Sequence, residues 1–217
     1  ENTKRLGGEV ITYDRYTGDR EAIARELAAE RGAVVVPSYD HDNIIAGQGT
    51  VGLEIAQQCQ ELDVTPDRVL VNCGGGGLIS GSATALKAHY SEVSIHTVEP
   101  EEFDDTARSL ASGKREHISD DARSICDALQ AHSPGRLTFE IMRELLGEGL
   151  VVTDEEVREA MRFAFRNLKL VVEPGGAAAL AALLAGKTET AGKTTVVVIS
   201  GGNVDQEVFA EIQRAGD

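Results

Sequence analysis

Hydrophobic and polar positions along the chain follow two periods in turn. Short apolar runs rich in Val and Ile cover 8–13, 33–36, 68–72, 93–98 and 194–199 and read as strands, the second ended by Pro37. Between them the apolar positions recur at helical spacing. The helix over 19–31 has Asp19 as N-cap, Ile23 and Leu27 on one face, and Gly32 as its stop. Further helices are predicted over 43–60, interrupted by Gly47-Gln48-Gly49-Thr50, and over 78–88, 101–112, 137–146, 154–168 and 177–185, with one more after Asn203. Thr153, with Glu156 three residues on, forms a capping box for 154–168. Residues 113–136 read as irregular, 2–7 as the tail of a helix, and 8–36 as a β-α-β unit. Strands alternating with helices predict an α/β protein, with one site beyond the carboxyl ends of its strands. The pattern shows no internal repeat.

The candidate chemistry centres on one stretch. The strand Arg68-Val69-Leu70-Val71-Asn72 runs through Cys73 into Gly74, Gly75, Gly76 and Gly77, and a helix follows at once. A helix N-terminus offers unpaired N–H groups and the positive end of a dipole, and glycines let the backbone approach an anion. No Lys or Arg lies between Cys73 and Leu86, so backbone donors would hold a phosphate here. A dinucleotide fingerprint fails, because Ile79 and Ser80 stand where its third glycine belongs. A Walker A loop fails too. Gly186-Lys187-Thr188 follows a helix, and Ala181 replaces the first glycine. The plain alternative is a tight strand-to-helix turn without a ligand. Four glycines exceed what such a turn needs.

Composition narrows the classes. Of 217 residues, 41 % are hydrophobic, none is Trp, and no apolar run reaches a membrane span. The N-terminal residues lead into no hydrophobic signal region. The net charge of −15 argues against nucleic acid and anionic membrane as partners. Cys59, Cys73 and Cys126 are too few and scattered for a disulfide framework or a zinc cluster, and they suggest a reducing cytoplasm.

Five motifs then combine in order: Ile45-Ala46-Gly47-Gln48-Gly49-Thr50; Gly74-Gly75-Gly76-Gly77-Leu78-Ile79-Ser80-Gly81; Val98-Glu99-Pro100; Val172-Glu173-Pro174-Gly175-Gly176-Ala177; and Ser200-Gly201-Gly202-Asn203. Together they resemble the fold-type-II pyridoxal-phosphate enzymes, within them the threonine/serine dehydratase and serine racemase branch. The resemblance implies an open, mostly parallel sheet flanked by helices, of the tryptophan synthase β-like kind. Residues 1–37 would be a remnant of the smaller domain and 38–217 the large cofactor-binding domain. It places the cofactor phosphate on Gly74, Gly75, Gly76, Gly77 and the N–H of Leu78, the pyridine nitrogen on Ser200, and Glu173 near the ring. A neutral hydroxyl at Ser200 would leave the ring unprotonated. It also implies a Mg²⁺ or Ca²⁺ site at Glu99, the carbonyl of Phe103, and Asp105, three hard oxygen ligands completed by water. The alternative there is an acidic helix start, since Glu101, Glu102 and Asp104 crowd the same stretch.

Two departures from the family stand out. In Cys126-Asp127-Ala128 an alanine replaces the glycine of the family's Ala-Asp-Gly, which puts the local backbone in question. None of the six lysines, Lys4, Lys87, Lys114, Lys169, Lys187 and Lys193, has the context of the family's cofactor-bearing lysine, so no catalytic residue is assigned in these 217 residues. The chain looks like the C-terminal two-thirds of such an enzyme, lacking an N-terminal segment. The function implied is an ammonia-lyase that converts L-threonine, L-serine or a similar 3-hydroxy amino acid to a 2-oxo acid and ammonia. It would be cytoplasmic and homo-oligomeric, a dimer or tetramer. Serine racemisation or 3-hydroxyaspartate cleavage is the alternative within the family. A lysine-less binding protein or partner subunit is the alternative outside it.

Overall fold

The computed structural model describes residues 2–14 and 18–215. The chain divides into two units, Glu1–Pro37 and Ser38–Asp217.

In the first unit, helix α1 is the short turn Asn2–Arg5 and α2 is Arg20–Arg31. Asp19 caps α2, its carboxylate accepting from the N–H groups of Glu21 and Ala22 at 3.0 and 2.9 Å. Gly32 ends it at φ 62°. The segments 8–13 and 33–36, expected as strands, have no strand pairing. Their apolar side chains are exposed, Val34 to 89 % and Val36 to 76 %. Strand-forming residues without a neighbouring strand leave their ladder groups unpaired, so the β-α-β unit is corrected to one capped helix between segments without regular structure.

The second unit begins with α3 (Asp42–Glu61), then β1 (Arg68–Asn72), α4 (Gly77–His89), β2 (Ser94–Pro100) and α5 (Asp105–Ser112). α6 (Arg136–Leu145), β3 (Leu150–Val152), α7 (Asp154–Phe163), α8 (Pro174–Leu184), β4 (Thr195–Val197) and α9 (Gln206–Arg214) follow. The sheet order is β3-β2-β1-β4, and every pair is parallel. β3 adds a strand that the hydrophobic pattern did not predict. The helix expected over 154–168 ends as an α-helix at Phe163 and continues as a π turn to Leu168, closed by Lys169 at φ 60°. Thr153 and Glu156 form the expected capping box.

The pleat of β1 divides the core. Val69 and Val71 join Ala56, Ile79, Ala83 and Leu86 on the face covered by α3 and α4. Leu70 joins Val157, Met161, Ala178 and Leu180 on the face covered by α7 and α8. Alternate residues of a strand point to opposite faces, so one apolar strand seeds both layers. The Gly47–Thr50 run does not interrupt α3. Its Gly49 belongs to the buried stripe that packs on α4, where a Cβ at Gly81 would collide with the backbone of Ile45 and Gly49. No helix among the described residues is long and apolar enough to cross a membrane.

Candidate functional site

The carboxyl ends of β1 and β2 each lead directly into a helix. β1 ends at Asn72, and the chain turns through the glycines to α4. The turn needs glycine at Gly76, which sits at φ 93° as the N-cap of α4, and no side chain caps that helix. Its first-turn N–H groups are therefore left without a side-chain acceptor. The Gly75 carbonyl accepts from the N–H of Gly135 at 3.1 Å and from the hydroxyl of Thr138 at 2.7 Å. In a trans peptide the C=O and the next N–H point to opposite sides, so anchoring the Gly75 carbonyl on α6 turns the Gly76 N–H away from α6. α6 is itself held from its start by Asp40, whose carboxylate accepts from the N–H groups of Arg136, Leu137 and Thr138 at 2.8 to 3.2 Å.

The cleft beyond this turn has a volume of about 270 Å³. It is lined by Ser38, Tyr39, Gln48, Asn72, Gly74, Gly75, Gly76, Gly77, Leu78, Ala128, Leu129 and Ser200. Residues that the sequence singled out for separate reasons meet here: the four glycines, Leu78, Ala128 and Ser200. None of the lining residues is charged, so an anion in this cleft would be held by neutral donors alone. A Cβ on Gly75 would fall within the ring of Tyr39. None of the chain's six lysines lines the cleft; Lys169 is exposed and donates to the Arg166 carbonyl.

Glu173 is not among the residues that line the cleft. It is the N-cap residue of α8, and its carboxylate accepts from the Asn203 N–H at 2.9 Å, which ties down the loop that carries Ser200. Ala128 lies in a 3-10 turn over Asp127–Leu129. The described non-glycine residues at positive φ are Asp63 and Lys169, so an alanine at 128 meets no backbone strain. Cys126 is fully buried, and burial pushes its thiol up to about 12. Cys73, also buried, is pushed well above the usual thiol range by burial and then by the nearby Glu99.

The end of β2 is different in kind. Glu99 is 0 % exposed, Asp105 1 % and Phe103 4 %. The Glu99 carboxylate accepts from the N–H groups of Thr106 and Ala107 at 3.0 and 2.7 Å, so it caps α5 from the neighbouring strand. Burial and then the charge of Asp105 push the Glu99 carboxyl well above the usual range. Burial pushes Asp105 from its ordinary 3.8 up to about 7, and its Oδ2 has no hydrogen-bond partner. An unpartnered buried carboxylate oxygen beside a second buried carboxylate is a donor set short of a cation, so the residues present fit a hard divalent ion. Two of the surrounding acids are engaged elsewhere: Asp104 pairs with Arg108 at 2.7 Å, and Glu102 accepts from the Arg123 N–H at 2.7 Å. Among the described residues no cluster of three or more His, Cys, Asp or Glu could hold a metal, so any ion here would need the Phe103 carbonyl and water as well.

Residues 1–201 match the family model described as "Pyridoxal-phosphate dependent enzyme". The chain belongs to this family. It is 40 % identical over 212 residues to L-threo-3-hydroxyaspartate ammonia-lyase of Pseudomonas sp, covering 98 % of this chain and 65 % of that protein. It is 40 % identical over 208 residues to serine racemase of Schizosaccharomyces pombe, covering 96 % of this chain and 63 % of that one. A solved threonine deaminase, from T.th., superposes with a TM-score of 0.85 at 39 % identity, over 93 % of this chain and 65 % of that structure. The chain thus spans somewhat under two thirds of the length of these relatives.

Sequence reasoning reached the glycines, Leu78 and Ser200 but missed Asn72, Tyr39, Asp40 and Thr138. Asn72 carried a signal, a polar residue closing a buried apolar strand. The other three are recognisable only once α6 and the 38–41 turn are placed beside the glycines.

Proposed function

We propose that this chain is the cofactor-binding part of a pyridoxal-phosphate-dependent ammonia-lyase acting on a small 3-hydroxy amino acid. The observation that carries the reading is the neutral cleft, in which an uncapped glycine-built helix start and a serine hydroxyl face the same space. The backbone N–H groups of Gly76, Gly77 and Leu78 would take the phosphate, and Ser200 would take the ring nitrogen. When bound, the cofactor supplies an electron sink for the carbanion formed at the substrate α-carbon. A neutral serine at the ring nitrogen moderates that sink. Tyr39 covers the glycine loop and limits the entry of water. Ala128 and Leu129 close the cleft from the opposite side with apolar surface.

We read the acidic pocket at Glu99, Phe103 and Asp105 as a Mg²⁺ or Ca²⁺ site that stabilises the β2–α5 junction. The unpartnered Asp105 Oδ2 supports this. We also read the protein as a homo-oligomer in the cytoplasm. The exposed apolar run Phe165, Leu168, Leu170 and Val171 gives surface for another chain to cover, and the three free buried cysteines suit a reducing compartment.

The names of the relatives favour a second reading, cleavage of 3-hydroxyaspartate or racemisation of serine, because two of them at 40 % identity carry those activities. The full protein, supplied with pyridoxal phosphate and Mg²⁺, should be incubated with L-threonine, L-serine and L-threo-3-hydroxyaspartate. 2-Oxo acid release and D-serine formation would be measured. 2-Oxo acid from threonine or serine supports the first reading; activity confined to hydroxyaspartate, or D-serine as the main product, moves the assignment to the second. No product from any of the three removes both.

A further inference from the structure

Asn72 is 2 % exposed at the end of the central strand, and all of its side-chain hydrogen-bonding groups are engaged. Its Oδ1 accepts from the Ala179 N–H of α8 at 2.6 Å. Its Nδ2 lies within hydrogen-bond distance of three acceptors, the carbonyls of Gly176 and Val198 at 3.2 and 3.1 Å and the Ser200 hydroxyl oxygen at 3.1 Å, which share its two hydrogens. The amide cannot be turned around. A backbone N–H only donates and a carbonyl only accepts, so the oxygen must face Ala179 and the nitrogen must face Ser200. Toward Asn72 the Ser200 oxygen can therefore only accept, through a lone pair, and its own proton remains available to an acceptor in the cleft that Ser200 lines.

We propose that Asn72 is a positioning residue that fixes Ser200 as a hydrogen-bond donor toward the ring nitrogen of the bound cofactor. The proposal rests on the reading of this cleft as a pyridoxal-phosphate site and deepens it. It assigns the choice between an unprotonated ring and a pyridinium to a buried amide one residue before Cys73. A hydroxyl held this way favours a ring nitrogen that offers a lone pair and disfavours one that carries a proton.

The test uses the cofactor-free protein and two probes: 4′-deoxypyridoxine 5′-phosphate, which has no aldehyde, and its counterpart with carbon in place of the ring nitrogen. Ser200→Ala should reduce the preference for the nitrogen-bearing probe by about five-fold, the size of one neutral hydrogen bond. Asn72→Ala should reduce it by a similar factor in the wild-type background and not at all in the Ser200→Ala background. Equal weakening of both probes by Asn72→Ala, an unchanged preference, or a loss that persists without Ser200 would make Asn72 merely structural and overturn the proposal. If Asn72→Ala does not fold, Asn72→Ser is read in the same way. The wild type gives an independent readout through the ¹⁵N resonance of a ring-labelled probe, which should lie at the unprotonated position; a pyridinium resonance overturns the proposal. Failure of the wild type to bind either probe would instead remove the cofactor site itself, and the proposal with it.

Discussion

Two adjacent parallel strands end in the same device and use it oppositely. β1 and β2 each deliver the chain to a helix start at the carboxyl edge of the sheet. At β1 the start of α4 is uncapped, its turn is all glycine, and the cleft before it carries no charged side chain. At β2 the start of α5 is already occupied, because Glu99 reaches over to take the N–H groups of Thr106 and Ala107. Since a helix dipole favours one anion at its N-terminus, the first junction is left able to bind one, while the second has consumed that capacity internally. The second is then left with a spare carboxylate, Asp105, whose partnerless oxygen calls for positive charge. One edge of one sheet thus carries an open helix start built from backbone beside a pair of buried carboxylates.

The comparison breaks most severely at Gly75. A side chain there meets the Tyr39 ring, and either the ring or the glycine turn must move. Gly75→Val should displace the N–H groups of the α4 start and cost at least two charge-assisted hydrogen bonds to the phosphate, a loss of cofactor affinity of about a hundred-fold or more. Titrating absorbance against pyridoxal phosphate measures it, with thermal melting as the control for folding. Affinity within about two-fold of wild type would remove the phosphate from this loop.

The second junction is tested by pH. Asp105 has its carboxyl raised from 3.8 to about 7 by burial. Below about pH 4 it is protonated whether the chain is folded or unfolded and has no effect. Between 4 and 7 the folded state keeps a proton that the unfolded state has released, so stability falls as pH rises. Above 7 the whole penalty is present, with a ceiling of roughly 4 kcal/mol at about 1.4 kcal/mol per unit. Asp105→Asn should therefore melt higher than wild type at pH 8 in EDTA, and the difference should vanish at pH 4. Ca²⁺ or Mg²⁺ should raise the melting temperature of the wild type at pH 8 and leave the variant unmoved. A wild type indifferent to both ions and to EDTA would return this pocket to an acidic helix start.

How much of this was legible beforehand differs between the elements. The runs at 68–72 and 93–98 became the two central strands of the sheet, buried on both faces along nearly their whole length, as a strand between two helix layers must be. The runs at 8–13 and 33–36 show the same local preference and form no strand, since strand propensity is realised only beside a partner. β3 escaped notice because three residues, Leu150, Val151 and Val152, are too few to show a period. The glycines and Ser200 were legible because their chemistry is local. Asp40 and Thr138 were not, because their roles depend on α6 lying beside a turn that is more than 60 residues away in the chain for Thr138 and the Gly75 carbonyl it serves.

A smaller effect on the same side of the comparison concerns the support of the cradle rather than the cradle itself. Asp40 satisfies three of the orphan N–H groups at the start of α6, in the manner of an N-cap supplied from a distant turn. Asp40→Ala should cost about 1–2 kcal/mol of stability, read by denaturant or thermal unfolding. Asp40→Asn should recover part of it, since its amide oxygen still accepts. If the alanine variant unfolds like wild type, α6 is anchored by its packing alone and the cap contributes nothing.

The smallest change should come from Thr138→Val, which removes one hydroxyl and preserves shape. The Gly75 carbonyl would lose the donor at 2.7 Å but keep the Gly135 N–H at 3.1 Å, so no buried oxygen is orphaned and the full desolvation penalty is avoided. What is lost is the second point that sets the plane of the peptide between Gly75 and Gly76. With one anchor the plane can tilt, and the Gly76 N–H tilts with it. Cofactor affinity should fall by about three- to five-fold, the size of a single neutral hydrogen bond, while the Ca²⁺ or Mg²⁺ melting shift stays as in wild type. That separation is the point of the measurement, because Thr138 serves the β1 junction and has no hydrogen bond to Glu99 or Asp105. A Thr138→Val protein that changed both responses together would show the two junctions to be coupled through α6, and the contrast between an open helix start and an occupied one would then be insufficient to explain either.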